Sequence, residues 1–147
     1  MNRSRNTLFV LLAILLLGSL PAAAIERPFS LTGAGTLTDG IINASGRATH
    51  LGLFTETGEL TFIPDPNNPN LILAAGPVAF TAANGDTLEG RLEDGVLDVT
   101  TGIATGVFRF TGGTGRFAGA SGTGDFVVIQ NLVTGAFEVT AVGSIDY

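Results

Sequence analysis

Cysteine, tryptophan and lysine are absent from this 147-residue chain, and histidine, tyrosine and methionine occur once each. Without cysteine there is no disulfide, no zinc–thiolate or iron–sulfur site, no thiol nucleophile and no lipid anchor at a leader cysteine. With His50 as the single histidine and no Gly-x-Ser-x-Gly elbow, a Ser-His-Asp hydrolase triad has little support. The cations are seven arginines against 13 acids, a formal charge of −6. Arg3 and Arg5 lie ahead of residue 25 and every acid lies after it, so the remainder is more acidic still. Such diffuse negative charge argues against nucleic acid and anionic membrane surfaces as partners.

Long apolar runs are scarce as well, and the one present is N-terminal. Leu8 to Leu17 is wholly apolar, and even extended to Leu20 it falls short of the roughly 20 residues needed to span a bilayer. Arg3 and Arg5 precede it, Pro21 breaks it, and Ala22-x-Ala24 supplies the small residues of a peptidase site. These features predict a signal peptide over residues 1–24, cleaved after Ala24, and a secreted or periplasmic protein. Residues 25–147 then form one domain, long enough to bury about two thirds of its unfolded surface.

Helical periodicity is missing after residue 25. Glycine or proline interrupts nearly every window, and Thr, Val, Phe and Ile fill the gaps, which is strand composition. Eight strands are predicted: Phe29 to Leu37, Ala44 to Thr55, Glu59 to Ile63, Ile72 to Ala82, Thr87 to Glu93, Ala104 to Thr111, Gly119 to Asn131 and Gly135 to Ile145. Turns are expected at Glu56-Thr57-Gly58, at Asn84-Gly85 as a type I′ hairpin, at Asp94-Gly95 and at Val133-Thr134-Gly135. Val96 to Thr100 reads as a short strand or part of a loop. Three prolines confine residues 64–70 to a surface loop. In the last strand Phe137, Val139, Ala141, Gly143 and Ile145 share one face, and Glu138, Thr140, Val142, Ser144 and Asp146 the other. The expected fold is therefore all-β, a single antiparallel eight-stranded barrel, whose interior is filled by side chains or holds one small ligand. A membrane barrel needs aromatic girdles, and one tyrosine with no tryptophan argues against membrane insertion of the mature chain.

Glycine is densest between Phe108 and Phe126, where it lets backbone pass close to backbone. Within that stretch, Gly112-Gly113-Thr114-Gly115-Arg116-Phe117-Ala118-Gly119-Ala120-Ser121-Gly122 resembles the glycine signature of plant dirigent proteins. Allene oxide cyclases, which share the eight-stranded barrel, carry a looser version. Gly46-Arg-Ala-Thr-His-Leu-Gly52 with Phe54-Thr55 is similar to a segment of small bacterial secreted proteins bearing the same crossing. The resemblance implies the allene oxide cyclase/dirigent-like barrel. It carries over no catalytic residue, because Gly112, Gly113, Thr114, Gly115, Arg116, Phe117, Gly119 and Gly122 shape the backbone.

Candidate sites compete with plainer roles. His50 is the residue that titrates near neutrality. Read as mid-strand, it alternates with Ala48, Gly52 and Phe54 and could point into the barrel; a lone histidine more often serves as a hydrogen-bonded structural residue. Arg109 and Arg116 could bind an anion, or tie down turn carbonyls, or pair with Asp125 across the crossing. Asp86, Glu89, Glu93, Asp94 and Asp98 fit no calcium-loop spacing and read as a solvated charged hairpin. Gly113-Thr-Gly115 lacks the following helix a phosphate loop requires. His50, Arg109, Phe108 and Phe126 are the candidate ligand contacts; no metal and no cofactor is expected.

Two functions follow. One is a non-catalytic exported barrel with a binding or surface role, its core filled by Phe54, Phe80, Phe108, Phe110, Phe126 and Phe137. The other is a dirigent-like or cyclase-like pocket that guides cyclisation or coupling of a small apolar molecule without a cofactor, by confinement. An inward acid, His50 or Arg109 in an open cavity would favour the second. Self-association into a homo-oligomer is compatible with either.

Overall fold

The computed structural model describes residues 25–147; the leader expected over residues 1–24 lies outside the described residues. Nine strands run β1 (Arg27–Thr38), β2 (Ile41–Ala48), β3 (Gly52–Glu59), β4 (Thr61–Pro64), β5 (Leu71–Ala82), β6 (Thr87–Asp98), β7 (Ile103–Gly113), β8 (Ser121–Gln130) and β9 (Ala136–Asp146), with one 3-10 turn at Gly115–Phe117. They form one antiparallel sheet in the order β3-β2-β1-β9-β8-β7-β6-β5-β4, and a β3–β5 pairing closes it. β3 and β4 both pair with β5 and are interrupted only at Leu60, so the two make one bent staircase of the ring. The result is the closed eight-stranded antiparallel barrel that composition and alternation predict.

Four local expectations are corrected. Ala44 to Thr55 is not one strand: the chain reverses at Thr49-His50-Leu51 in a γ-turn, the Leu51 amide donating to the Thr49 carbonyl at 2.9 Å with His50 at φ 67°. His50 therefore sits on a turn and not mid-strand. Glu56-Thr57-Gly58 is not a turn but the middle of β3. Asp94-Gly95 does not end a hairpin either; β6 continues to Asp98, and the pair lies where the β6–β7 register shifts between Glu93 and Val96. Asn84-Gly85 does lie between β5 and β6, yet only Gly85 of the two has positive φ, whereas type I′ needs it at both. That geometry belongs to Asp39-Gly40, at φ 52° and 84°, joining Thr38 to Ile41.

Inward positions alternate between rings and glycines. A Cβ at Gly46 would lie 3.0 Å from the Phe54 ring, and one at Gly106 only 2.7 Å from the Phe126 ring. A Cβ at Gly124 would overlap both the Phe108 ring and the Val142 carbonyl oxygen. Much of the glycine thus makes space for phenylalanine inside a narrow barrel. The six phenylalanines assigned to the core are all buried, joined by Phe29 and Phe117. Phe29, Phe108 and Phe110 form a tilted cluster with centroids 4.9–5.6 Å apart.

One end of the barrel is sealed. The glycine crossing between β7 and β8 drops Phe117, with no exposed surface, into that end, alongside buried Leu51, Leu88, Ala120 and Ile145. Thr114 pins the crossing to β6: its amide donates to the Thr87 carbonyl and its hydroxyl accepts from the Thr87 amide, both at 2.9 Å. Gly115, at φ 57°, turns where a Cβ would strike the Asp86 carboxylate. The Tyr147 ring stacks edge-on over Phe117 at 5.1 Å.

Candidate functional site

The other end of the barrel leads into a cavity of about 90 Å³. Phe29, Phe80, Phe108, Phe110 and Phe126 line its depth, Leu37, Leu60, Phe62 and Gln130 line its mouth, and Val128, Phe137 and Val139 lie between. The mouth residues are half-buried, in contrast to the enclosed side chains of the sealed end. Ile103, Ile129, Leu132 and Val133 add exposed apolar surface on the strands and turns at this end. The volume equals about three water molecules of liquid, below the roughly 150 Å³ known to take benzene and the roughly 300 Å³ of drug-sized pockets. The interior is neither filled nor roomy.

Within this apolar wall stand two polar side chains, Glu56 and Gln130. Glu56 follows Phe54 by two residues on β3 and shares its inward face; its register partners are Ala44 on β2 and Phe80 on β5. It is 7% exposed, the one buried charged or polar residue of the described chain. Burial pushes its pKa from 4.5 up to about 7, and no hydrogen bond or cation offsets the shift. No polar side-chain atom among the described residues is both fully enclosed and unpartnered, so the Glu56 oxygens keep contact with the cavity. A neutral carboxylic acid there presents one O–H donor and a carbonyl acceptor in apolar surroundings. A carboxyl that exchanges its proton near neutrality also has the pKa wanted of a general acid or base.

The sequence-derived candidates separate. Phe108 and Phe126 line the cavity. His50 stands outside it, at the sealed end, with both ring nitrogens engaged: Nε2 donates to the Pro28 carbonyl at 2.9 Å, and Nδ1 accepts from the Tyr147 hydroxyl at 3.1 Å. Because a carbonyl can only accept, this arrangement assigns the proton to Nε2. The Arg27 guanidinium lies 4.6 Å from the Tyr147 ring centroid and adds a cation–π contact to this His50–Tyr147 latch. Arg109 points outward from β7 and pairs with Glu93 at 3.3 Å. Arg116 pairs with Asp86 at 3.8 Å and lies 5.0 Å over the Phe117 ring. Neither arginine pairs with Asp125, which lies opposite Val107.

Glu56 escaped sequence reasoning because an acid, a threonine and a glycine in succession resemble a turn. The usable signal was alternation: once the hairpin is placed at residues 49–51, Phe54, Glu56 and Gly58 fall on one face. Among the described residues no three His, Asp or Glu side chains gather as a metal site, and no helix is long and apolar enough to cross a membrane. The chain matches no protein-family model, no curated protein and no solved structure.

Proposed function

We propose that residues 25–147 form an exported binding barrel, non-catalytic, that holds a small apolar molecule, or the end of one, in the cavity with its polar atom at Glu56. The observation that carries this reading is an unpartnered buried carboxyl facing a cavity that is otherwise apolar apart from Gln130. A carboxyl kept for structure alone would be expected to have a partner, since an unpaired buried polar group costs about 1–3 kcal/mol. The resemblance of the glycine crossing to dirigent-like barrels is consistent with an interior ligand.

The test is a titration of the full-length product with small apolar compounds, followed by amide and methyl chemical shifts. Shifts at Leu97, Phe126 and Val139, abolished in a cavity-filling Ala104→Leu variant that keeps the fold, are the expected result. Shifts confined to outward residues such as Val127 and Val142 would remove the reading.

A second reading, the cyclase-like pocket, is favoured by the same carboxyl, whose proton is exchangeable near neutral pH. Chemical conversion of a bound compound, lost in Glu56→Gln with binding retained, would separate catalysis from binding.

A further inference from the structure

We propose that the cavity selects neutral molecules carrying a hydrogen-bond acceptor, a ketone, aldehyde or ether oxygen, which takes the Glu56 proton as a hydrogen bond, and that it discriminates against anions, cations and plain hydrocarbons. The inference deepens the binding reading and rests on it.

Charge placement excludes anions. Arg27, Arg47, Arg91, Arg109 and Arg116 are the five cations of the described chain, and none lines the cavity. A carboxylate or phosphate entering it would be desolvated with no countercharge, beside an acid. A hydrocarbon of the right size fits, but leaves the Glu56 hydroxyl unpaired in a space now emptied of water. A cation would have to ionise Glu56 and strip water from both charges, a desolvation that close pairing only partly repays. A neutral acceptor avoids each of these penalties: it satisfies the O–H donor and brings no charge.

The surroundings of Glu56 support a sharp dependence on its proton. From β2 the inward neighbours are Ile42 and Ala44, and from β5 they are Val78, Phe80 and Ala82, all apolar. Across the cavity the lining holds no other titratable side chain, and Gln130 is its one further polar group. With the carboxyl protonated up to about pH 7, acceptor binding holds in mild acid and fades as pH rises through that value. Size follows from volume: about 90 Å³ admits a head of roughly three to five heavy atoms, and anything longer extends through the mouth between Leu37, Leu60 and Phe62.

Three five-membered rings of near-identical shape test this: tetrahydrofuran, cyclopentane and pyrrolidine, the last a cation at the pH values used. Each is titrated into the full-length product at pH 5 and pH 8.5, with chemical shifts of cavity-lining groups as the readout. The ratio of tetrahydrofuran to cyclopentane affinity is expected to be about tenfold higher at pH 5 than at pH 8.5, since comparison across pH cancels the greater cost of taking the ether out of water. Glu56→Gln, which keeps an N–H donor but cannot ionise, should hold the ratio constant between the two pH values; Glu56→Leu should lower it about tenfold at pH 5 and still bind cyclopentane. A ratio that is the same at pH 5 and pH 8.5 and unchanged in Glu56→Leu, with both compounds inside the barrel, would overturn the acceptor inference and leave the binding reading standing. Pyrrolidinium binding tightest, and more so at pH 8.5, would likewise overturn it in favour of a cation site. No cavity shift with any of the three would overturn both.

Discussion

Replacing Glu56 by glutamine should change how the stability of the barrel depends on pH, in a direction and size that follow from its burial. Desolvation raises the folded-state pKa from 4.5 to about 7. Below pH 4.5 the carboxyl is protonated in both folded and unfolded chains and adds no pH dependence. Between pH 4.5 and 7 the unfolded chain ionises while the folded chain resists, so folding stability is lost as pH rises through that window and levels off above it. At 1.36 kcal/mol per pH unit the loss reaches about 3 kcal/mol. In a domain of this size that is roughly 10 °C in Tm, a large share of a typical stability. Glutamine cannot ionise, so the gap between Glu56→Gln and wild type should widen by about 3 kcal/mol from pH 4 to pH 8.5, whatever fixed offset the amide introduces. The chain has no tryptophan, so urea unfolding is followed by far-UV circular dichroism at four pH values. Taking the difference between variants cancels the titration of the other acids. Curves that stay parallel across the range would show that Glu56 is not held in an apolar site, and would remove the basis for the ligand reading as well.

Gly124→Ala should cost about 1–3 kcal/mol by overpacking, because its Cβ meets the Phe108 ring and the Val142 carbonyl oxygen, and the backbone cannot retreat cheaply; Tm by calorimetry checks it. At the sealed end, Phe117→Ala should cost about 3–5 kcal/mol, against about 1 kcal/mol for Tyr147→Phe, which keeps the stacked ring and loses only the hydroxyl bond to His50 Nδ1. Equal losses for the two would mean that the hydroxyl, and not the ring contact, holds the latch. Asp98 accepts from the Thr100 hydroxyl at 2.6 Å and its amide at 2.8 Å, which lowers its pKa. In Thr100→Val the Asp98 carboxyl should titrate at higher pH by NMR; an unchanged midpoint would assign the shift to the backbone bonds from Thr100 and Thr101.

The architecture was legible in the sequence because two strong signals agree. Alternation in β9 separates Phe137, Val139, Ala141 and Ile145 from Glu138, Thr140 and Val142, and the structure buries or half-buries the first set. The phenylalanine core was legible for the same reason. What was lost came from turns. Thr49-His50-Leu51 contains no glycine, asparagine or proline, so its γ-turn gives no local warning, and the His50 side chain that stabilises it bonds to Pro28 and Tyr147, far away in sequence. Conversely, Glu56-Thr57-Gly58 and Asp94-Gly95 have turn composition, yet Gly58 and Gly95 lie within strands where backbone or side chains crowd the space a Cβ would take. Glycine carries two meanings in this chain, reversal and room, and composition does not separate them. Reading Glu56-Thr57-Gly58 as a turn was enough to hide Glu56, because it ended the strand one residue before the acid although Phe54, two residues earlier, was already placed on the inward face.

The division of the barrel into two ends bears on why the carboxyl stands where it does. At the sealed end, aromatic stacking, the Thr87–Thr114 bonds and the His50–Tyr147 contact tie down the glycine crossing and the C-terminus. The other half leaves a cavity unfilled and places in it a group that opposes folding at neutral pH. Filling the first and removing the second, by Ala104→Leu and Glu56→Leu, should therefore raise stability at pH 8, with the two gains adding only if the new side chains do not compete for the same space. A combined variant that is more stable than wild type and no longer binds tetrahydrofuran would show that the cavity and its acid serve a ligand and not the fold. A combined variant that loses stability would instead make Glu56 part of the packing.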